Sequence, residues 1–143
     1  MKFTKQDIIL AALSPKDISY DSIQLQKLLF LLDENVSPDL FGGKLFDFQP
    51  YNYGPFDKDV YTEMNKLSFQ NLAHIDTSER STKYALSAEG QKKGAELLNT
   101  LPKNYIKYIK DVNNFVTVVP FRELVSSIYK AYPRMKKNSI FFG

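Results

Sequence analysis

Apolar residues recur along the chain in two rhythms, and the changes between them mark the elements. Ile8, Ile9, Ala12 and Leu13 give one side of a helix. Thr4 stands at an N-cap position with Asp7 at N3, a weaker relative of the capping box, and Phe3 and Ile8 occupy the two positions of a hydrophobic staple. The pattern predicts a first helix from about Lys5 to Leu13, closed by Ser14-Pro15. Asp21 or Ser22 caps a second, in which Leu25, Leu28, Leu29, Leu32 and Val36 keep helical spacing while Ile23, Phe30 and Leu31 add bulk on other sides. A helix apolar nearly all round belongs at the centre of a core. Its leucine stripe is too short for a sustained coiled-coil seam.

Residues 33–56 break the rhythm with Pro38, Gly42, Gly43, Pro50, Gly54 and Pro55. Phe46 and Phe48 alternate with Asp47 and Gln49, which predicts one short strand there. Phe41, Phe46, Phe48, Tyr51, Tyr53, Phe56 and Tyr61 crowd this stretch, and rings of that size bury large areas, so the loop should pack on the core. Asp57 caps a third helix running from Lys58 to Asn65 or beyond, with Val60, Met64 and Leu67 as its stripe. Leu72–Ile75 and Lys83–Leu86 read as two strands around the polar turn 76–81, and Ser87 caps a fourth helix that Pro102 ends. Tyr105 to Phe115 fit another helix, with a break expected over the β-branched Val116, Val118 and Val119 before Pro120. Phe121, Leu124, Val125, Ile128 and Tyr129 make the last helix before Pro133. The apolar tail around Ile140-Phe141-Phe142 either docks or stays exposed.

This order predicts a mainly α fold with a small β-hairpin (α+β), a winged helix-turn-helix-like core plus C-terminal helices. The hairpin from Leu72 to Leu86 is the wing, and Leu45–Phe48 can supply a third strand. The reading is a single domain over 1–143, with the core at 1–101 and a helical extension at 102–143.

Length and composition agree: 143 residues, 43% apolar and 24% charged, are ordinary for one globular domain. No run of apolar residues is long enough to cross a membrane, and the N-terminus lacks a signal-peptide pattern, so a cytoplasmic location is expected. The absence of cysteine excludes disulfides, thiolate catalysis and zinc fingers. The net charge of +3 is uneven: residues 101–143 hold 8 basic and 2 acidic residues, against 7 and 10 in residues 1–72.

The catalytic inventory is thin. His74 is the single histidine and sits in a predicted strand with no nucleophile or orienting partner in the sequence pattern nearby. Asp33, Glu34, Asp57, Asp59 and Glu63 read as a solvated face rather than a hard-metal cluster, with Lys58 and Lys66 as neutralisers. No phosphate-cradling loop appears. An enzyme, a metal and a cofactor are therefore not expected. Lys103, Lys107 and Lys110 form a basic stripe flanked by Tyr105 and Tyr108, and Lys130, Arg134, Lys136 and Lys137 add charge after it, an arrangement able to hold a nucleic-acid strand. Against that stands the third helix, in the recognition position, whose Asp57, Asp59 and Glu63 outnumber Lys58 and Lys66.

The segment Leu25-Gln26-Lys27-Leu28-Leu29-Phe30-Leu31-Leu32, the turn Tyr51-Asn52-Tyr53-Gly54-Pro55-Phe56 followed by Val60-Tyr61, and Tyr84-Ala85-Leu86-Ser87-Ala88-Glu89-Gly90 together resemble the Panacea (SocA-like antitoxin) domains and the related YwgA-like proteins. The resemblance covers about residues 4–100. It implies a non-catalytic antitoxin module, often carried by phages or mobile elements, that neutralises a toxin by direct binding. It carries over no catalytic residue and marks Tyr51, Tyr53, Gly54, Pro55 and Phe56 as a fold-defining turn. The partner-binding candidates are Phe41, Tyr51, Tyr53, Phe56 and Tyr61. A winged-helix DNA-binding regulator is the alternative, and a homodimer is left open.

Overall fold

Two capping boxes set the first two helices. The Thr4 hydroxyl accepts from the Asp7 amide, and the Asp7 carboxylate accepts from the Thr4 amide, at the start of α1 (Lys5–Leu13). Asp21 and Gln24 exchange the same pair of bonds at the start of α2 (Ser22–Asn35), which makes Asp21 the cap rather than Ser22. As the sequence predicts, α2 is the central helix: Leu25, Leu28, Leu29, Phe30 and Leu32 are all buried. The structure, a computed structural model, describes residues 2–141.

Between the helices runs β1 (Tyr20–Asp21). After α2 come α3 (Ser37–Phe41), β2 (Gln49–Tyr51), β3 (Gly54–Phe56) and α4 (Asp59–Phe69). Then follow β4 (Ala73–Asp76), β5 (Lys83–Leu86), α5 (Ala88–Asn99), α6 (Lys103–Val118), α7 (Phe121–Ala131) and a 3-10 turn at Pro133–Lys136. The result is a mainly helical α+β chain. Its main sheet is antiparallel in the order β1-β5-β4, with Tyr20 opposite Tyr84 and Ile75 opposite Tyr84 on the other side. Strands β2 and β3 form a separate two-stranded ribbon.

Four expectations are corrected. The strand forecast at Phe46–Phe48 lies three residues later, at Gln49–Tyr51, and the third strand of the main sheet is Tyr20–Asp21, not Leu45–Phe48. The reason is hydrogen bonding. The amides of Leu45 and Phe46 donate to the Asp33 carboxylate at 2.7 and 3.1 Å, and that of Asp47 donates to Asp57 Oδ2 at 2.8 Å. These donors are therefore spent before any ladder can use them. A short helix, α3, also occupies this stretch, started with Pro38 in its first turn and ended by left-handed Gly42. Helix α6 does not break at Val116 but runs on to Val118, because Val116 is buried in the core and Pro120 constrains only its immediate predecessor, Val119. The helix forecast after Asp57 is α4, and its N-cap is Lys58 rather than Asp57; Asp57 stands one residue before the cap, where its Oδ1 accepts from the Asp59 amide at 2.9 Å.

The tail docks as far as Phe141, which is buried against Phe121 and Tyr129. Ile140 donates its amide to the Asn52 carbonyl at 3.0 Å while its side chain stays exposed. Phe142 lies outside the described residues.

Candidate functional site

The Gln26-Lys27 pair of α2 reaches the β2–β3 ribbon and the residue that follows it. Gln26 clamps Asp57 by both backbone groups, accepting from its amide and donating to its carbonyl at 3.0 Å each. Lys27 Nζ donates to the Tyr53 carbonyl at 2.6 Å. The Lys27 bond holds the tight turn Asn52-Tyr53, after which Gly54 takes a φ of 116° that a side chain would resist, while Gln26 and the Asp57 carboxylate, which accepts from Asp47 and Asp59, fix the chain just past β3. The resemblance motifs at 25–32 and 51–56 thus meet in space: one segment fastens the other.

Beside that fastening lies an open pocket of about 220 Å³. Ser22, Ile23, Gln26 and Lys27 of α2 form one side, residues 51–56 a second, and Tyr61 of α4 a third. Rings continue from it in two directions. Tyr51 meets Phe56, Phe56 meets Tyr61, and Tyr61 stacks on Tyr84, with centroids 4.9–5.7 Å apart. Tyr53 meets Phe121 edge-on at 5.3 Å, and Phe121 meets Phe141. Tyr51 is 52% exposed, Tyr53 38% and Phe121 41%, so the pocket opens among large apolar side chains at the surface.

Of the predicted partner-binding residues, the structure brings Tyr51, Tyr53, Phe56 and Tyr61 together at this pocket. Phe41 is elsewhere, at the end of α3, stacked on Phe3 at 4.9 Å. The basic candidates fall into two settings. On α6, Lys103, Lys107 and Lys110 are exposed; Lys107 pairs with Asp111, and Lys110 borders Ser14, Ala95 and Leu98. Tyr105 donates to Asp39 and Tyr108 accepts from Asn35, so the rings beside this stripe are tied down rather than free to stack on bases. Past α6, Lys130 and Lys137 are exposed, Arg134 pairs with Glu34 and lies over Phe30 and Tyr132, and Lys136 lies over Tyr129.

The acidic residues of α4 are paired within the molecule. Asp59 pairs with Lys5 at 2.8 Å, and that contact holds its carboxyl below the usual range. Glu63 accepts from Gln6 and Lys66. The outward residues of the helix are Lys58, Thr62, Asn65, Lys66 and the 89%-exposed Phe69. His74 is exposed on β4, opposite Ala85. Among the described residues no three His, Cys, Asp or Glu side chains gather as a metal site, and no helix is long and apolar enough to cross a membrane.

Lys27 is the residue that pattern reading passes over. It is 2% exposed, and burial pushes its ammonium down from 10.5 to about 8, with Asp21 acting weakly the other way. The unfolded chain therefore holds a proton between pH 8 and 10.5 that the folded chain releases, so this group makes stability rise with pH across that window, by at most about 1.4 kcal/mol per unit. Tyr20, pushed by burial up to about 12, works in the opposite sense above pH 10. The urea midpoint is expected to climb from pH 8 toward pH 10, and Lys27→Met is expected to remove the climb; a flat wild-type profile over that range contradicts the assignment.

Compared with known proteins, the chain matches no protein-family model and no curated sequence.

Proposed function

We propose that the chain is a non-catalytic protein-binding module that neutralises a partner toxin by occupying it, as its resemblance to Panacea antitoxins implies. The observation that carries this reading is the exposed pair Tyr51 and Tyr53, continued by Phe121, at a pocket between the fastened hairpin, α2 and α4. Interface cores favour such rings, and hot spots are pockets or anchors near their centre. A surface fixed by buried hydrogen bonds also loses little conformational entropy on docking.

A second reading has its own support. The order α1, β1, α2, α4, β4, β5 with the sheet β1-β5-β4 suits a winged helix with residues 36–58 inserted before its recognition helix. Asp59 pairs with Lys5, and Glu63 accepts from Gln6 and Lys66, so the carboxylates of α4 are largely offset within the molecule. That weakens the electrostatic objection to duplex DNA raised by the sequence.

One experiment separates them. Co-expression with the product of the adjacent gene is expected to relieve that product's toxicity and to yield a stable complex. Tyr53→Ala is expected to weaken the complex by about 30-fold or more. Changing Lys103, Lys107 and Lys110 to glutamine should alter mainly the association rate. No complex, together with duplex binding that falls with salt at a log–log slope of about −0.9 per phosphate and is lost in Lys58→Gln/Lys66→Gln, makes the DNA reading the better one.

A further inference from the structure

Lys27 is a buried cation without a carboxylate. Among the described residues no acid lies within ion-pairing distance of its Nζ, and its one hydrogen bond goes to the Tyr53 carbonyl. An ammonium has three donors, so two are left. The charge that acts on it is Asp21, whose carboxylate is engaged with the Gln24 amide at the head of α2. A buried charge is normally paired because leaving it unpaired is costly. Here Lys27 instead lines the pocket, and its Nζ stands beside Gly54, another lining residue, where a Cβ would lie 3.5 Å from it. The other titratable groups around it are the phenols of Tyr51, Tyr53, Tyr61 and Tyr129.

We infer that this pocket receives a carboxylate, supplied by an Asp or Glu side chain of the partner protein, with Lys27 Nζ completing the ion pair and the rings of Tyr51, Phe56 and Tyr61 covering the adjoining carbons. The inference rests on the protein-binding reading above and names the chemistry of the partner's anchor. A pocket of about 220 Å³ holds one side chain or a small aromatic acid, and its lining is mostly apolar and aromatic with a single charged residue, Lys27, the kind of arrangement that fixes orientation in ligand sites. A carboxylate entering there meets a cation already desolvated, so the pair forms in a low-dielectric setting where it is strong. An amide of the same shape gains no such pairing.

The test uses the unmodified protein labelled with carbon-13 at lysine Cε, with the Lys27 resonance identified by its loss in Lys27→Arg. The probes are phenylacetate and the isosteric phenylacetamide. Phenylacetate is expected to shift the Lys27 resonance saturably and to raise its apparent pKa by about one unit or more, because an opposite charge has arrived within a few ångströms. Phenylacetamide is expected to leave that pKa where it was. No shift with phenylacetate up to its solubility limit, or equal shifts with both probes, overturns the inference. With the partner in hand, Lys27→Gln keeps a donor for the Tyr53 carbonyl but carries no charge, and should weaken binding by about 30-fold or more. If Tyr53→Ala abolishes partner binding and Lys27→Gln leaves it intact, the protein-binding reading stands and the carboxylate inference falls. If neither changes binding, both fall.

Discussion

Gly94→Ala is expected to destabilise the fold by about 3 kcal/mol or more, although the same change in an open helix gains up to about 1 kcal/mol. The sign reverses because α5 lies directly on α1. A Cβ at position 94 would stand 2.2 Å from the Leu10 carbonyl oxygen, 2.8 Å from its carbon and 2.9 Å from Ser14 Cβ. Two of these neighbours are backbone, held by the hydrogen bonds of α1, so the helix pair must separate to make room. Gly90 is in the same position toward Leu72, with its Cβ point 1.9 Å from the carbonyl oxygen, and Gly90→Ala should behave alike. Gly43→Ala is the control: nothing lies within 4 Å of its Cβ point, and the change should stay within about 0.5 kcal/mol. Urea unfolding followed by circular dichroism reads all three. Wild-type stability in Gly94→Ala would mean that the two helices do not meet as described.

Both glycines sit in a helix that the sequence announces, yet nothing local announces why they are glycine. The same division runs through the whole chain. Caps act over three residues, so Thr4 with Asp7, and Ser87 with Gly90, are readable from the sequence. The Leu72–Leu86 hairpin signal is local too, and the structure places β4 and β5 within it. The stretch between α2 and α4 is different. There Asp33 reaches 12 and 13 residues ahead to the amides of Leu45 and Phe46, and Asp57 reaches back 10 to Asp47. Those long-range bonds cancel a strand that the alternation of Phe46 and Phe48 advertises. One signal was available: Gln26, Lys27 and Asp33 are polar residues within a helix apolar on every side, and all three are buried. A buried polar residue needs a partner, and here the partners are the backbone of the aromatic loop.

The candidate site was legible in its rings and illegible in its chemistry. Tyr51, Tyr53, Phe56 and Tyr61 stand out as a cluster in sequence and meet at one pocket. Lys27 is separated from them by more than twenty residues and reads as one member of a helical motif, so its place at the pocket emerges only when α2 and the ribbon are packed together. The basic C-terminal third shows the converse. Its charges are evident in the sequence, but the structure ties Arg134 to Glu34 and Lys107 to Asp111, which spends part of that charge inside the molecule.

A fragment ending at Leu101 is expected not to fold, even though every strand of the main sheet lies before that point. Helix α6 packs on α1 and α2, and Ile109, Val112 and Val116 are buried there; Leu124, Val125 and Ile128 of α7 join the same core. Burial of each such side chain is worth about 1.5–3 kcal/mol, so losing six of them is comparable with the whole net stability of about 5–15 kcal/mol typical of one domain. Polar bonding makes the dependence more specific. Asn113, 0% exposed, donates to the Ala12 carbonyl and to the Tyr20 hydroxyl at 2.8 Å each, and Tyr20 in turn donates to the Leu13 carbonyl at 3.1 Å. Removing α6 leaves the end of α1 and the first strand without that donor. In the full chain, Asn113→Ala alone should cost about 1–3 kcal/mol, because a buried carbonyl is then left unsatisfied. Circular dichroism and urea titration check both expectations. A cooperative transition in the 1–101 fragment would show that the N-terminal elements form a self-sufficient core, and that α6 and α7 are an attachment to it rather than part of it.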